Sequence, residues 1–309
     1  MSEAATYPSD SFKRIRRLLR IARFRDWITR NKVTPLKLRA NMEQNFAGRE
    51  PKGVQFIEVD AGGVPSAWLV PEGYDGNVRV LHLHGGGYAG GDINTHRCYA
   101  GCLAQVSGAA VLVPHYRLAP EDPFPAALDD GLAAWRYLLA SGPEGAGQAQ
   151  KNIIGGDSAG GGLSLAVMMA LRDAGEQLPD GASLLSPWAD LVCEGPRMKN
   201  RSRADLLVAQ DWLKACAEVY GVGVDHADPR LSPVNGDFSG LPPIDIQVGD
   251  AEVLLGDSEL IVERAKAAGV NVTCEVWPEM LHIWQVLWPF IPESQQSIEK
   301  TSKFIHSLA

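Results

Sequence analysis

Residues 152–163 read Asn152-Ile153-Ile154-Gly155-Gly156-Asp157-Ser158-Ala159-Gly160-Gly161-Gly162-Leu163, and the chain is best read outward from them. An apolar run ends in two glycines, a serine follows, and a long apolar segment over 159–173 then takes helical spacing. The pattern G-x-S-x-G at a strand-to-helix junction predicts a sharp turn that projects a serine hydroxyl from the sheet. Small residues two before and two after the serine suit the close backbone contacts of such a turn. The helix start favours developing negative charge beside it. An ordinary glycine-rich turn or a phosphate-cradling loop would share this local pattern.

On both sides of this segment apolar runs alternate with helical stretches. Val78–Leu83, Ala109–Pro114, Asn152–Gly156, Ser183–Leu185, Ile244–Val248 and Val272–Val276 read as strands. Helices are expected near 95–107, at 126–140 and 159–173, at 257–268 and near 293–308. Residues 54–60 and 66–70 form two further strands around the turn Ala61-Gly62-Gly63. Strand–helix alternation implies an α/β fold with a mostly parallel sheet covered on both faces, as the continuous apolar runs require. In such sheets function gathers beyond the carboxyl ends of the strands. Residues 47–309 make up this domain. Residues 11–46 read as helical and basic, residues 191–230 break the alternation, and the latter with residues 1–46 are the candidate lid.

Bulk properties narrow the classes. The chain has 309 residues, 45% hydrophobic and 21% charged, which is globular rather than disordered. Its net charge is −8 and its pI about 5.4, against the basic footprint of a nucleic-acid binder. One stretch opposes this trend: Arg14, Arg16, Arg17, Arg20, Arg23, Arg25 and Arg30 lie between Lys13 and Lys32 with only Asp26 opposing. It reads as part of a cap, with attachment to anionic lipid as the competing idea. Five cysteines, an odd number with no C-x-x-C pair, predict reduced thiols; Cys98 and Cys102 alone make a poor metal site. The N-terminus shows no apolar h-region and no run reaches membrane-spanning length. A cytoplasmic location is expected, without metal or cofactor and without stable membrane insertion.

A second glycine cluster, His84-Gly85-Gly86-Gly87-Tyr88, follows the strand Val78–Leu83. A loop of this type supplies oxyanion-hole donors in lipases and esterases, and the N–H groups of Gly86, Gly87 and Ala159 are the candidates here. A serine hydroxyl needs a base. Of seven histidines, His282 stands out because it follows the last strand, matching the order nucleophile, acid, histidine. Asp250 and Glu252 both follow the preceding strand, and either could orient that histidine. Tyr88, Trp188, Leu207 and Trp212 are candidate pocket residues or equally core. A binding protein that has lost its chemistry would lack the serine or the histidine, and this chain has both. An amide or thioester in place of an ester stays open.

Taken together, HGGGYAGGD (84–92), YRLAPEDPFPAALDD (116–130), GDSAGGGL (156–163), SPVNGDFSGLPP (232–243), GDAEVLLGDS (249–258) and WPEMLH (277–282) resemble the bacterial hormone-sensitive-lipase-like esterases. These are also called family IV lipolytic enzymes, and the likeness is to their GDSAG subgroup, over about residues 50–309. The resemblance implies an eight-stranded α/β-hydrolase core with a helical cap, partly N-terminal. It implies hydrolysis of small-molecule carboxylic esters of short to medium acyl chain, with no cofactor. It makes Ser158, Glu252 and His282 the expected triad, with Glu252 where most relatives carry Asp. His84, Gly85 and Asp157 are expected to support the loops rather than react. Glu121 resembles a residue near the active site, and a homodimer through an edge strand is expected.

Overall fold

A computed structural model describes residues 8–29, 34–48, 50–195, 198 and 205–308. Among the described residues, ten strands run in chain order. The eight long ones are β1 (Val54–Asp60), β2 (Pro65–Pro71), β3 (Val78–Leu83), β4 (Ala110–Pro114), β7 (Lys151–Asp157), β8 (Gly181–Leu185), β9 (Ile244–Gly249) and β10 (Val272–Trp277). They form one sheet in the order β1-β2-β4-β3-β7-β8-β9-β10, antiparallel at β1–β2 and β2–β4 and parallel from β4 onward. Two-residue strands β5 (Ser141–Gly142) and β6 (Gly145–Ala146) make a small hairpin that the apolar pattern did not signal.

Helices α3 (Ile93–Ser107), α4 (Ala126–Ala140), α5 (Ala159–Asp173), α7 (Leu255–Ala267) and α8 (Pro292–Ser307) cover the sheet; α1 (Asp10–Thr29), α2 (Pro35–Phe46) and α6 (Gln210–Tyr220) lie outside this alternation. Side chains alternate across a strand, and neighbouring residues accordingly enter different cores. Val80, Val111 and Ile153 pack with Tyr99 and Leu103 of α3 and Ile298 and Ile305 of α8. Leu81, Leu112 and Ile154 pack with Trp135 of α4, Val167 of α5 and Ile261 of α7. This double covering is why those strands are apolar throughout. The edge strand β10 differs: Val272, Cys274 and Trp277 are at least half-buried, while Val276 is exposed.

The basic N-terminal stretch forms two helices. Thr34 caps α2, its side chain accepting from the Lys37 N–H, and Pro35 at the first position pre-sets the helical φ. α1 buries Phe12 fully and lays Ile15 and Leu19 against Trp277, Met280, Leu281, Trp284 and Ile291. Its start is pinned by Glu293 at the head of α8, which accepts from the Ser9 N–H at 2.6 Å and hydroxyl at 2.9 Å. The side chains of Trp27 and Ile28 lie outside the described residues. Lys13, Arg14, Arg17 and Arg20 face outward, so the described part of the charge run is a solvated face of a helix that buries Phe12 on its other side.

Register decides where the loops meet. Leu83 pairs with Gly156, Asp157 with Leu185, Leu185 with Gln247, and Gly249 with Trp277. The segments that follow these residues are the HGGG loop, the G-x-S-x-G turn, Ser186–Asp190, Asp250–Leu254 and Pro278–His282. All five leave one end of the sheet side by side.

Candidate active site

Ser158 sits between β7 and α5 with φ 54° and ψ −121°, a conformation strained for a residue with a Cβ. Its N–H donates to the Leu185 carbonyl at 2.9 Å, and its carbonyl accepts from Trp188 at 2.8 Å. The neighbours must be small. A Cβ on Gly160 would overlap the Leu83 and His84 carbonyls, and one on Gly156 would overlap the Gly160 carbonyl.

The HGGG loop is held against this turn by Asp157. Its Oδ1 accepts from the Gly85 N–H at 3.0 Å and from His82 Nε2 at 3.1 Å, and its Oδ2 lies 3.4 Å from His96 Nε2. Burial alone would push this carboxyl up. The charge of His96, with the hydrogen bonds from His82 and His96, instead holds it well below the usual carboxylate range. Burial opposes charge on His96 as well, but Asp157 raises it above an ordinary histidine. Burial pushes His82 down and His84 well down, so both are neutral at pH 7. His84 stacks on Tyr116 with ring centroids 4.1 Å apart, and the Tyr116 hydroxyl donates to the His84 carbonyl at 2.6 Å. The sequence reading found His84, Gly85 and Asp157 but gave His96 no setting. Its α3 position reveals nothing until the helix is docked.

Gly86 and Gly87 have φ of 123° and 64°, which a side chain would strain. The Gly86 carbonyl accepts from the N–H groups of Ala89 and Gly90, closing the loop on itself. Among the described residues, the N–H groups of Gly86, Gly87 and Ala159 donate to no protein acceptor. Those of Gly86 and Gly87 lie in the loop beside the turn, and that of Ala159 at the head of α5. Such unsatisfied donors at a strand–helix junction are what an oxyanion requires.

Of the two carboxylates after β9, Glu252 is the one that meets His282. Its Oε2 lies 2.8 Å from His282 Nδ1, its Oε1 accepts from the Ser186 hydroxyl at 2.8 Å, and the Gly249 N–H also donates to it. Asp250 is exposed and accepts from the Glu279 N–H at 2.6 Å, which shapes the loop leading to His282. Glu252 is fully buried and His282 nearly so. Burial pushes the Glu252 carboxyl up. Burial also works against charge on His282, but the hydrogen bond and charge of Glu252, with Asp205 and Asp157 adding to it, hold the imidazole above the ordinary histidine range. Ser186 links this pair to the serine turn. It follows Leu185, whose carbonyl binds the Ser158 N–H, and its hydroxyl also accepts from Ile283 at 3.4 Å. Ser186 was missed in the sequence, where nothing distinguishes it from other serines at strand ends.

Three of the four candidate pocket residues come together. Tyr88 stacks on Tyr220 at 3.9 Å and lies 5.8 Å from Trp188. A Cβ built on Gly87 would lie 3.2 Å from the Trp212 ring and 2.9 Å from the Cys216 sulfur, so α6 covers the HGGG loop. Leu207 does not join them: Leu206 turns inward toward the α1 core, and Leu207 is 46% exposed. α2 is fastened to the loops around the turn by Arg39. It donates to the Ala89 and Ala119 carbonyls at 2.8 Å each and forks onto Glu121 at 2.9 and 2.8 Å. This gives Glu121, which sequence reasoning left without a role, a physical one.

Comparison with known proteins agrees with this geometry. A family profile described as the alpha/beta hydrolase fold matches residues 80–286. The chain is 42% identical over 286 residues to an acetyl-hydrolase of Streptomyces hygroscopicus, covering 91% of this chain and 93% of the relative. It is 31% identical over 225 residues to an ethyl acetate hydrolase of Pseudomonas putida, covering 72% and 70%. Among solved structures, an esterase of the bacterial hormone-sensitive lipase family superposes with TM-score 0.88 at 36% identity, over 98% of this chain and 99% of the other. The chain belongs to the α/β-hydrolase family, in its bacterial hormone-sensitive-lipase-like branch. It is a carboxylic ester hydrolase of the serine type.

Proposed function

We propose that Ser158, His282 and Glu252 are the catalytic triad, and that Gly86, Gly87 and Ala159 form the oxyanion hole. The observation that carries this reading is the buried 2.8 Å Glu252–His282 contact, tied through Ser186 to the strand end that holds the strained Ser158. The ester carbonyl oxygen points to the three N–H groups. Ser158 attacks while His282 takes its proton, and His282 then protonates the leaving alcohol. Water, deprotonated by His282, releases the acid from acyl-Ser158. Glu252 fixes the imidazole tautomer and stabilises the imidazolium throughout. Asp157, His84 and Gly85 hold the donor loop in place.

Residues 1–46 and 191–230 act as the cap. The packing of α6 over Gly87 and of α1 against Met280 and Leu281 supports this. Substrates are esters of short to medium acyl chain, bound near Tyr88, Trp188 and Trp212. The names of the acetyl-hydrolase and ethyl acetate hydrolase relatives point the same way. Two copies pair through β10, whose outer edge carries no neighbouring strand within the sheet. The enzyme works in the cytoplasm, a reading supported by five free thiols. Among the described residues no helix is long and apolar enough to cross a membrane.

The test is a rate series on p-nitrophenyl esters of increasing acyl length, with fluorophosphonate labelling mapped by mass spectrometry. Label on Ser158 and fastest turnover among short to medium chains are expected. Label elsewhere, or a rate rising steadily to long chains, contradicts the reading.

A further inference from the structure

We infer that Asp205 is a positioning residue for catalysis, through which the cap holds the acid of the triad in place; this rests on the assignment of Glu252 and His282 to that triad. Asp205 lies in the second lid segment, far in sequence from the strand ends, and is fully buried. Its two oxygens have separate tasks. Oδ1 accepts from the Leu207 and Val208 N–H groups at 2.8 and 2.9 Å, which shapes the turn entering α6. Oδ2 accepts from the Val253 N–H at 2.9 Å. Val253 is the residue after Glu252, so one carboxylate ties the start of a lid helix to the backbone that carries the acid.

Burying a carboxylate is unfavourable unless its hydrogen-bonding capacity is met. Among the described residues, three backbone N–H groups meet it here, and the carboxylate sits one residue from Glu252 through its bond to Val253. Among the described residues, the carboxylates of Glu252, Asp205 and Asp157 favour charge on His282. Glu252 supplies the direct hydrogen bond. Asp205 adds field from the lid side, and it favours the protonated imidazole formed when Ser158 gives up its proton. It also raises the Glu252 carboxyl beyond what burial does. A buried acceptor needed only for a turn has no reason to span two segments. Here the bond to Val253 makes the orientation of the acid depend on the lid being seated.

The consequence is a coupling between lid closure and catalytic competence. When the lid lifts, Val253 loses its acceptor and the acid loop loses a fixed point.

The experiment compares Asp205→Asn with wild type in full pH profiles of kcat and kcat/KM on a p-nitrophenyl ester, with active sites counted by fluorophosphonate titration. Asn can still accept from the turn through its oxygen, but it presents an amide to Val253 and carries no charge. The account expects kcat per active site to fall about tenfold, on the scale of one lost charged hydrogen bond. It expects KM to change little and the acid limb of kcat/KM to move to lower pH, because a negative charge favouring the imidazolium is gone. Asp205→Glu, which keeps the charge, should leave that limb closer to wild type. A purely structural role would lower thermal stability and leave the limb of the folded fraction unmoved. Should Asp205→Asn not fold, Asp205→Ser keeps a short acceptor for the turn and is read in the same way. An unmoved limb with unchanged kcat per active site overturns the inference. Ser158→Ala serves as control: full activity there would overturn the triad assignment, and this inference with it.

Discussion

The Ser186 hydroxyl bridges the two segments that carry Glu252 and His282, donating to Glu252 Oε1 at 2.8 Å and accepting from the Ile283 N–H at 3.4 Å. It is fully buried at the end of β8, one residue after the carbonyl that binds Ser158. A hydrogen bond to a buried carboxylate contributes about 1.5–3 kcal/mol. Ser186→Ala should therefore lose about tenfold or more in kcat, with a smaller change in KM. Steady-state kinetics on a p-nitrophenyl ester checks this, and an unchanged kcat would mean that Glu252 is held adequately by Gly249 and His282 alone.

Glu252→Gln keeps the shape of the acid and removes its charge. The amide can present its NH₂ to His282 Nδ1 and so favour the wrong tautomer. Loss of the charge on a triad acid costs about 10⁴ in kcat in other serine hydrolases, and a drop of that order is expected here. Asp250→Asn, at the exposed neighbouring carboxylate, should cost far less. Equal losses for the two variants would return the assignment to the ambiguity of the bare sequence.

The pH dependence follows from the environment of His282. The base acts only when neutral. Burial opposes its charge, but Glu252 and the more distant carboxylates raise it above the ordinary value of about 6.5. A raised pKa keeps the imidazole protonated to higher pH. The acid limb of kcat/KM should thus have its midpoint above about 6.5, with activity rising through neutral pH. A midpoint below about 6 would show that burial outweighs Glu252.

Arg39→Ala should loosen the seating of α2. It removes donors to the Ala89 and Ala119 carbonyls and the fork onto Glu121. Glu121 is more than half exposed, so the ion pair itself contributes little. The bonds to the two carbonyls matter more, and a loss of about 1–2 kcal/mol is expected in thermal or urea unfolding. KM should rise more than kcat falls. Glu121→Gln, which leaves the carbonyl bonds intact, should be milder on both counts.

These variants also mark the boundary of what the sequence could disclose. The turn at Ser158, the HGGG loop and the doubly covered strands were legible because each is a local pattern with one physical cause. Chain order singled out His282, and family resemblance chose Glu252 over Asp250. The structure accounts for that choice: Asp250 turns outward to bind Glu279, and Glu252 turns inward to the imidazole. Ser186, His96, Arg39 and Asp205 were not legible. Each acts on a partner from a distant part of the chain, and a serine or aspartate in isolation looks like any other.

The central claim is tested most directly by turnover of Ser158→Ala on a short-chain p-nitrophenyl ester, measured against wild type at the same folded concentration. The account predicts a loss of about 10⁶-fold in kcat, the scale on which serine hydrolases depend on their nucleophile. Turnover within about tenfold of wild type would contradict it.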